Sequence, residues 1–136
     1  MENGYSGLIR DTARERGIAC SEEQALLLAQ YAELLLKWNR KINLISENDT
    51  FNIIDRHMLD SIEQFDSINR SCRHIADIGS GNGFPGIVIA VFHPEIHIDL
   101  IEKRAKRASF LKQCVFKLSL GNAHVFDRDA VQFDYS

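Results

Sequence analysis

The stretch of sequence that decides the fold is Asp77-Ile78-Gly79-Ser80-Gly81-Asn82-Gly83-Phe84-Pro85-Gly86. The residues that lead into the first glycine, His74–Ile78, predict a buried strand. Pro85 fits the first turn of a following helix, because the N–H that proline lacks would have no partner there. The glycines between strand and helix allow a tight turn and let a ligand approach the bare backbone. This order predicts a ligand-binding crevice at the carboxyl end of a parallel sheet.

The residues around this turn divide into two segments with different hydrophobic periodicity. Residues 1–70 are predicted to be helical. Ser21-Glu22-Glu23-Gln24 is a capping box that opens a long amphipathic helix, and a second helix carries apolar residues from Ile53 to Phe65. Residues 71–136 are predicted to alternate strands and helices. We therefore expect an α/β protein with an N-terminal helical region at 1–70 and a sheet-containing domain at 71–136.

The second segment continues beyond the turn with four more predicted elements. They are a helix over Gly86–Phe92, a strand over Ile96–Ile101, a helix over Arg104–Leu120 with Gly121 as its C-cap, and a strand over Ala123–Phe126. Because the joints are short, the three strands are expected to pair in parallel through right-handed crossovers.

Composition excludes several classes of protein. With 45% hydrophobic and 26% charged residues the chain is typical of a soluble globular domain, and its apolar runs fall far short of the roughly 20 residues of a membrane span. No secretory signal is apparent at the N-terminus, so we expect a cytoplasmic location and no membrane partner. Cys20, Cys72 and Cys114 lack metal-binding spacing, which predicts free thiols and no metal site. The net charge of −3 argues against a surface covered with nucleic-acid contacts but leaves room for a local basic patch.

Three acids lie at the ends of the three predicted strands and indicate the ligand. Glu102 lies about 20 residues after the first glycine, the spacing expected of an acid that holds ribose hydroxyls. Asp77 could pair with an ammonium group, and Asp129 could accept a hydrogen bond from an adenine amino group. This set favours S-adenosyl-L-methionine over NAD, whose pyrophosphate would be repelled by Asp77. NAD stays the alternative, because Gly81-x-Gly83-x-x-Gly86 formally fits the dinucleotide pattern.

Three motifs in order resemble a known family. They are Trp38-Asn39-Arg40-Lys41-Ile42-Asn43-Leu44-Ile45-Ser46, Arg56-His57-Met58-Leu59-Asp60-Ser61 and the glycine-rich stretch that ends at Gly86, followed by Lys106-Arg107 and Phe110-Leu111. From about residue 20 onward the chain resembles the bacterial ribosomal RNA small-subunit methyltransferase G family, also called glucose-inhibited division protein B. The resemblance implies N-terminal helices followed by the first half of a Rossmann-like class I S-adenosylmethionine-dependent methyltransferase sheet.

The resemblance also implies a reaction, the methylation of N7 of a guanine in small-subunit (16S) rRNA. Guanine N7 carries a free lone pair, so methyl transfer needs positioning rather than a general base. This agrees with the absence of any recognisable catalytic constellation, and no catalytic residue is assigned. The implied partner is small-subunit rRNA or the small ribosomal subunit.

Carried over position by position, the family's cofactor contacts fall on Gly79 and Phe84 and on the pair Ala130 and Val131. The family usually has Arg-Ala-Glu where this chain reads Asp129-Ala130-Val131, so a carboxylate contact would have to come from Asp129. The complete set of expected cofactor-binding residues is Asp77, Gly79, Gly81, Gly83, Phe84, Glu102, Asp129, Ala130 and Val131.

The last residues bear on activity. Residues 133–136 resemble the opening of a fourth strand, after which the family continues into three further strands and a Ser-Arg-Ala motif. Two interpretations follow from this departure. The chain is either a methyltransferase or part of one, or a truncated, non-catalytic module that binds cofactor or RNA.

A basic run marks a candidate RNA surface. Lys103, Arg104, Lys106 and Arg107 lead a helix that carries no acid before Lys117. These four residues are expected to contact rRNA phosphates without reading sequence. The alternative is an ordinary solvated helix face.

Overall fold

The computed structural model describes residues 4–46, 50–68 and 71–129. The N-terminal part contains helices α1 (Gly4–Glu15), α2 (Glu22–Asn39), α3 (Thr50–Asn52) and α4 (Asp60–Ile68), with a π-helical segment, Ile53–Leu59, between the last two. The second part runs β1 (His74–Ile78), α5 (Gly86–Phe92), β2 (His97–Ile101), α6 (Ala105–Lys117) and β3 (Ala123–Phe126). The predicted α/β class and the order of strands and helices are confirmed.

The three strands form a parallel sheet in the order β1-β2-β3. His74 lies opposite His97, and Ile98 lies opposite Ala123. Both crossovers step across the sheet in the same direction, so the right-handed rule puts α5 and α6 on the same face. The carboxyl ends of β1, β2 and β3 therefore meet at one edge, where the glycine-rich turn begins.

Helix α2 begins where the capping box predicts. The Gln24 backbone N–H donates to Ser21 Oγ at 3.1 Å, and the Ser21 N–H donates to Gln24 Oε1 at 2.9 Å. Its buried side chains, including Leu28, Tyr31 and Leu35, join one apolar cluster with α5, α6 and the sheet. The core therefore includes residues from both predicted segments, and the division at residue 70 stays a prediction.

The predicted C-cap at Gly121 is wrong. Helix α6 ends at Lys117, and the residue with left-handed backbone is Ser119, with φ of 52°. The Leu120 N–H donates to Val115 O at 3.0 Å, and the Ser119 N–H donates to Phe116 O at 3.2 Å. These two bonds form a Schellman motif with Ser119 at C′. The chain leaves the helix early because Leu118 and Leu120 both insert into the core.

None of the helices within the described ranges is long and apolar enough to cross a membrane.

Candidate functional site

The glycine-rich turn is held against the end of β2 by its own backbone. Gly79, Gly81 and Gly83 all have positive φ, at 72°, 45° and 91°. The N–H groups of Gly79 and Ser80 donate to Ile101 O at 2.8 and 3.2 Å. Left-handed backbone at three positions explains why the turn needs glycine rather than other small residues.

The glycines of the turn face different surroundings. A Cβ at Gly83 would lie 2.6 Å from the Tyr31 hydroxyl, and a Cβ at Gly86 would collide with Leu100 Cδ2. These two positions let α2 and the sheet approach the turn closely. A Cβ at Gly79 would meet no atom within 4 Å among the described residues. Gly79 is therefore the glycine of the expected set that combines left-handed backbone with open space.

Glu102 follows β2 as a buried carboxylate, only 5% exposed. Its Oε1 accepts a hydrogen bond from the Gly81 N–H at 2.9 Å, and its Oε2 accepts one from the Arg104 N–H at 2.9 Å. Two backbone donors thus fix both oxygens beside the turn. A carboxylate held in this way presents its remaining lone pairs in a set direction.

Asp77 is the last residue but one of β1 and lies on the sheet face that also carries Leu100. Its Oδ2 accepts from the Gly86 N–H at 3.1 Å, which ties β1 to the start of α5. Burial raises the pKa of Asp77 from 3.8 to about 6; the nearby Glu102 adds to the rise, and the Gly86 bond opposes it. The expected pairing of Asp77 with a ligand ammonium stays a prediction.

An open crevice of about 360 Å³ lies at the carboxyl ends of the strands. Its lining combines apolar, acidic and basic side chains and consists of Ile78, Gly79, Ile101, Glu102, Lys103, Arg104, Arg107, Arg128 and Asp129. Three expected cofactor residues and three expected RNA-contacting residues thus line one crevice. Ile78 is 59% exposed, which is unusual for a large apolar side chain at a strand end and suits contact with a flat apolar ligand surface.

Phe84 packs the turn against the N-terminal helices. Its ring centroid lies 5.3 Å from those of Tyr31 and His57, and its backbone N–H donates to Asn82 Oδ1 at 3.1 Å. The Tyr31 hydroxyl in turn donates to Asn82 O at 2.5 Å. Phe84 does not line the crevice, so the structure does not bring it together with Gly79 and Glu102 there.

Arg107 connects the basic helix to the loop that follows α2. Its Nη2 donates to Asn43 O at 2.8 Å. The same loop is held by Asn39 Oδ1, which accepts from the N–H groups of Leu44 and Ile45 at 2.9 and 3.0 Å. The first family-like motif therefore places a loop beside the crevice through Arg107. Lys103, Arg104 and Lys106 are exposed, and Lys106 does not line the crevice.

The expected cofactor residues that follow β3 are only partly described by the structure. Ala130 and Val131 lie outside the described residues, whereas Asp129 lies at the crevice. Sequence reasoning missed Ile78, Ile101 and Arg128, which also line it. Ile78 and Ile101 are the last residues of β1 and β2, and Arg128 is two residues after β3. These positions are a usable signal, because residues at the carboxyl ends of parallel strands face the crevice. The Arg128 guanidinium lies 5.5 Å from the Phe126 ring centroid.

The structure has a Rossmann-like α/β fold with its crevice at the strand ends. This class is defined by a parallel sheet with crossover helices, a left-handed glycine turn and a fixed acid after the neighbouring strand. A family model described as rRNA small subunit methyltransferase G matches residues 24–135. The chain belongs to this family.

Curated relatives agree with the family match, and each is named Ribosomal RNA small subunit methyltransferase G. The chain is 36% identical over 113 residues to the protein of Pseudomonas entomophila, covering 83% of this chain and 52% of the relative. It is 40% identical over 111 residues to that of Laribacter hongkongensis, covering 82% and 53%. With the protein of Mycoplasma mycoides it shares 40% over 107 residues, covering 76% of both. The chain spans about half the length of the first two.

Proposed function

We propose that this chain binds S-adenosyl-L-methionine in the crevice after β1 and β2 and serves methyl transfer to N7 of a guanine in small-subunit rRNA. The observation that carries the proposal is the buried Glu102 carboxylate, fixed by two backbone N–H groups beside the open backbone of Gly79. Membership of a family of rRNA methyltransferases supplies the reaction class. A cytoplasmic location belongs to the same proposal.

The acceptors and the apolar surface of the crevice fit an adenosyl ligand. Glu102 has lone pairs left to accept hydrogen bonds from two ribose hydroxyls, Ile78 offers an apolar surface, and Asp129 can accept from an adenine amino group. When bound, S-adenosylmethionine supplies a methyl group on a positively charged sulfur. The protein contributes by orienting the cofactor and the guanine and by excluding water, since methyl transfer to guanine N7 needs no base.

Binding of S-adenosylhomocysteine by the 136-residue chain, measured by isothermal titration calorimetry, tests the cofactor. We expect a dissociation constant in the micromolar range, and an affinity about tenfold lower for Glu102→Gln, which loses the charge and one acceptor. Asp127→Asn is the matched control, because Asp127 is an exposed acid that pairs with Lys112 at 2.9 Å outside the crevice. Binding of NAD in place of S-adenosylhomocysteine would contradict the proposal.

The proposed RNA surface consists of Lys103, Arg104 and Lys106. Charge reversal at Lys103 and Lys106 should weaken binding to small-subunit rRNA and flatten its salt dependence, since each lost phosphate contact lowers the slope by about one. Lys117→Glu, at the other end of the same helix, is the control and should bind as the parent does. Arg107 is left unchanged because its bond to Asn43 gives it a structural role. Equal loss for Lys117→Glu would remove the assignment.

Transfer of labelled methyl groups from S-adenosylmethionine to undermethylated small subunits separates the two interpretations of the chain. Transfer above background that falls with Glu102→Gln supports a methyltransferase. Cofactor or RNA binding without any transfer supports a non-catalytic module.

A further inference from the structure

The sheet carries a second cluster of polar side chains, outside the crevice beside the glycine-rich turn. His74 and His97 are the first residues of β1 and β2, and they lie opposite one another in the parallel register. Asp99 is two residues further along β2, so all three side chains project from the same face. Leu100, beside α5, projects from the other face. The cluster is thus at the amino ends of the strands, whereas the crevice is at their carboxyl ends.

The two histidines meet at the Asp99 carboxylate, with one ring nitrogen near each oxygen. His74 Nε2 lies 2.7 Å from Asp99 Oδ2, and His97 Nε2 lies 3.2 Å from Asp99 Oδ1. One ligand atom from each residue can be chosen so that all lie within 4.8 Å of one another. Ligand atoms about 2 Å from a tetrahedral ion are roughly 3.3 Å apart. The side chains therefore need only small adjustments to surround an ion.

Neighbouring rings restrict the orientation of these histidines. The His124 ring stacks on His97 with centroids 4.6 Å apart, and the His74 ring meets His97 edge-on at 4.7 Å. Asp99 is only 6% exposed, while both histidines are exposed and reachable from solvent. A buried carboxylate with two oriented imidazoles at its oxygens is a preorganised ligand set.

We propose that His74, His97 and Asp99 bind a divalent transition-metal ion of the zinc class. Two imidazole nitrogens and one carboxylate oxygen suit zinc, cobalt or nickel, whereas magnesium and calcium prefer oxygen ligands throughout. Solvent takes the remaining coordination position on the exposed side. The ion would link β1 to β2 at the amino ends of the strands, and the proposal is independent of methyl transfer.

His93 also lies near two carboxylates, but each carboxylate is near a different nitrogen of its ring. His93 Nε2 lies 2.9 Å from Asp66, and its Nδ1 lies 3.3 Å from Glu95. The two nitrogens are on opposite sides of the ring, so the two acids cannot share one ion with it. His93→Gln is therefore a matched control that removes a histidine–acid cluster without touching the proposed site.

Titration of the metal-free 136-residue chain with zinc chloride, followed by calorimetry, tests the site. We expect one zinc ion per chain with micromolar affinity, a loss of at least about tenfold in His74→Gln and in His97→Gln, and parent affinity in His93→Gln. The exposed histidines carry the test because replacing them leaves the core intact, as circular dichroism should confirm. No binding by the parent, or parent affinity in the two site variants, would overturn the proposal.

Cobalt substitution identifies the ligands directly. Cys72 is the thiol to exclude, since its Sγ lies 3.2 Å from His74 O. The expected cobalt spectrum has visible bands of nitrogen and oxygen ligation without a thiolate charge-transfer band, and Cys72→Ser leaves it unchanged. A thiolate band that disappears in Cys72→Ser would place the metal on the cysteine and refute the proposed ligand set.

Discussion

Asp77 shows how one side chain couples the glycine-rich turn to stability. In the unfolded chain its carboxyl group loses its proton near pH 4, whereas burial raises its pKa and keeps it protonated in the native chain up to about pH 6. The native state therefore binds more protons between these values, and the free energy of unfolding falls as the pH rises through this window. A pKa rise of this size corresponds to a loss of up to about 3 kcal/mol.

Asp77→Asn should remove this component of the pH dependence. Asparagine keeps an oxygen that can accept from the Gly86 N–H but has no charge to bury. Above about pH 7 we expect the variant to be more stable than the parent by about 1–3 kcal/mol, with the difference vanishing near pH 4. Urea unfolding between these pH values measures it. In Asp127→Asn the parent pH profile should persist above about pH 5, because the pKa of the exposed Asp127 is lowered by Lys112. A parent-like profile in Asp77→Asn would contradict the assignment.

The sequence predicts Glu102 at its place beside the turn because the end of a buried strand is visible as the end of an apolar run. It does not predict the direction of the Asp77 side chain. That direction depends on how closely α5 approaches β1, and this approach is set by the missing side chain at Gly86. The local sequence shows where a residue lies in a helix or strand, whereas its side-chain contacts depend on residues distant in sequence.

At the scale of elements, the end of α6 shows that packing of the core can override the local sequence pattern of a helix cap. Glycine is the usual C′ residue, so the sequence favours Gly121 as the cap. The core instead requires Leu118 and Leu120 to be buried, which moves the left-handed residue to Ser119. The boundaries of β1, α5 and β3 need no such tertiary information, because glycines, prolines and apolar runs mark them.

Ser119→Gly should stabilise the protein by about 0.5–1 kcal/mol, because serine has a steric cost in the left-handed region that glycine does not have. Gly121→Ala is the opposite test. The φ of Gly121 is not positive, and an added methyl group would meet no atom of the described residues within 4 Å, so alanine should be neutral or slightly stabilising. Chemical denaturation of both variants decides between the two caps. If Gly121→Ala destabilised the chain and Ser119→Gly did nothing, the helix would end as the sequence predicts.

At the scale of the whole molecule, contacts between residues distant in sequence determine which side chains come together, and the pattern of helices and strands does not predict them. The strand register brings His74, His97 and Asp99 together although no local motif joins them, which is why the sequence predicts no metal site. Likewise, the amphipathic pattern of α2 predicts a buried face but not that Tyr31 lies under the turn. The π-helical segment is also invisible in the sequence pattern, and its His57 ring packs on Phe84.

The approach of α2 to the turn gives a prediction that joins both parts of the molecule. A methyl group at Gly83 would lie 2.6 Å from the Tyr31 hydroxyl and 2.8 Å from Ile87 Cγ1, in backbone with φ of 91°. Gly83→Ala should therefore cost about 2–4 kcal/mol, from left-handed strain together with overpacking. It should also weaken S-adenosylhomocysteine binding, because the turn must move away from α2. Thermal unfolding and calorimetry measure the two effects.

Gly17→Ala is a control that separates the cost of left-handed backbone strain from the cost of the contact with Tyr31. Gly17 has φ of 72°, and an added methyl group there would meet no atom within 4 Å among the described residues. Alanine at this position should therefore cost only the strain, about 1–2 kcal/mol, and leave ligand affinity unchanged. In the double variant Gly83→Ala, Tyr31→Phe, removal of the hydroxyl should recover part of the loss, giving a coupling energy of at least about 0.5 kcal/mol. Additive costs, or equal costs for Gly83→Ala and Gly17→Ala, would show that the Tyr31 hydroxyl does not restrict the turn at Gly83.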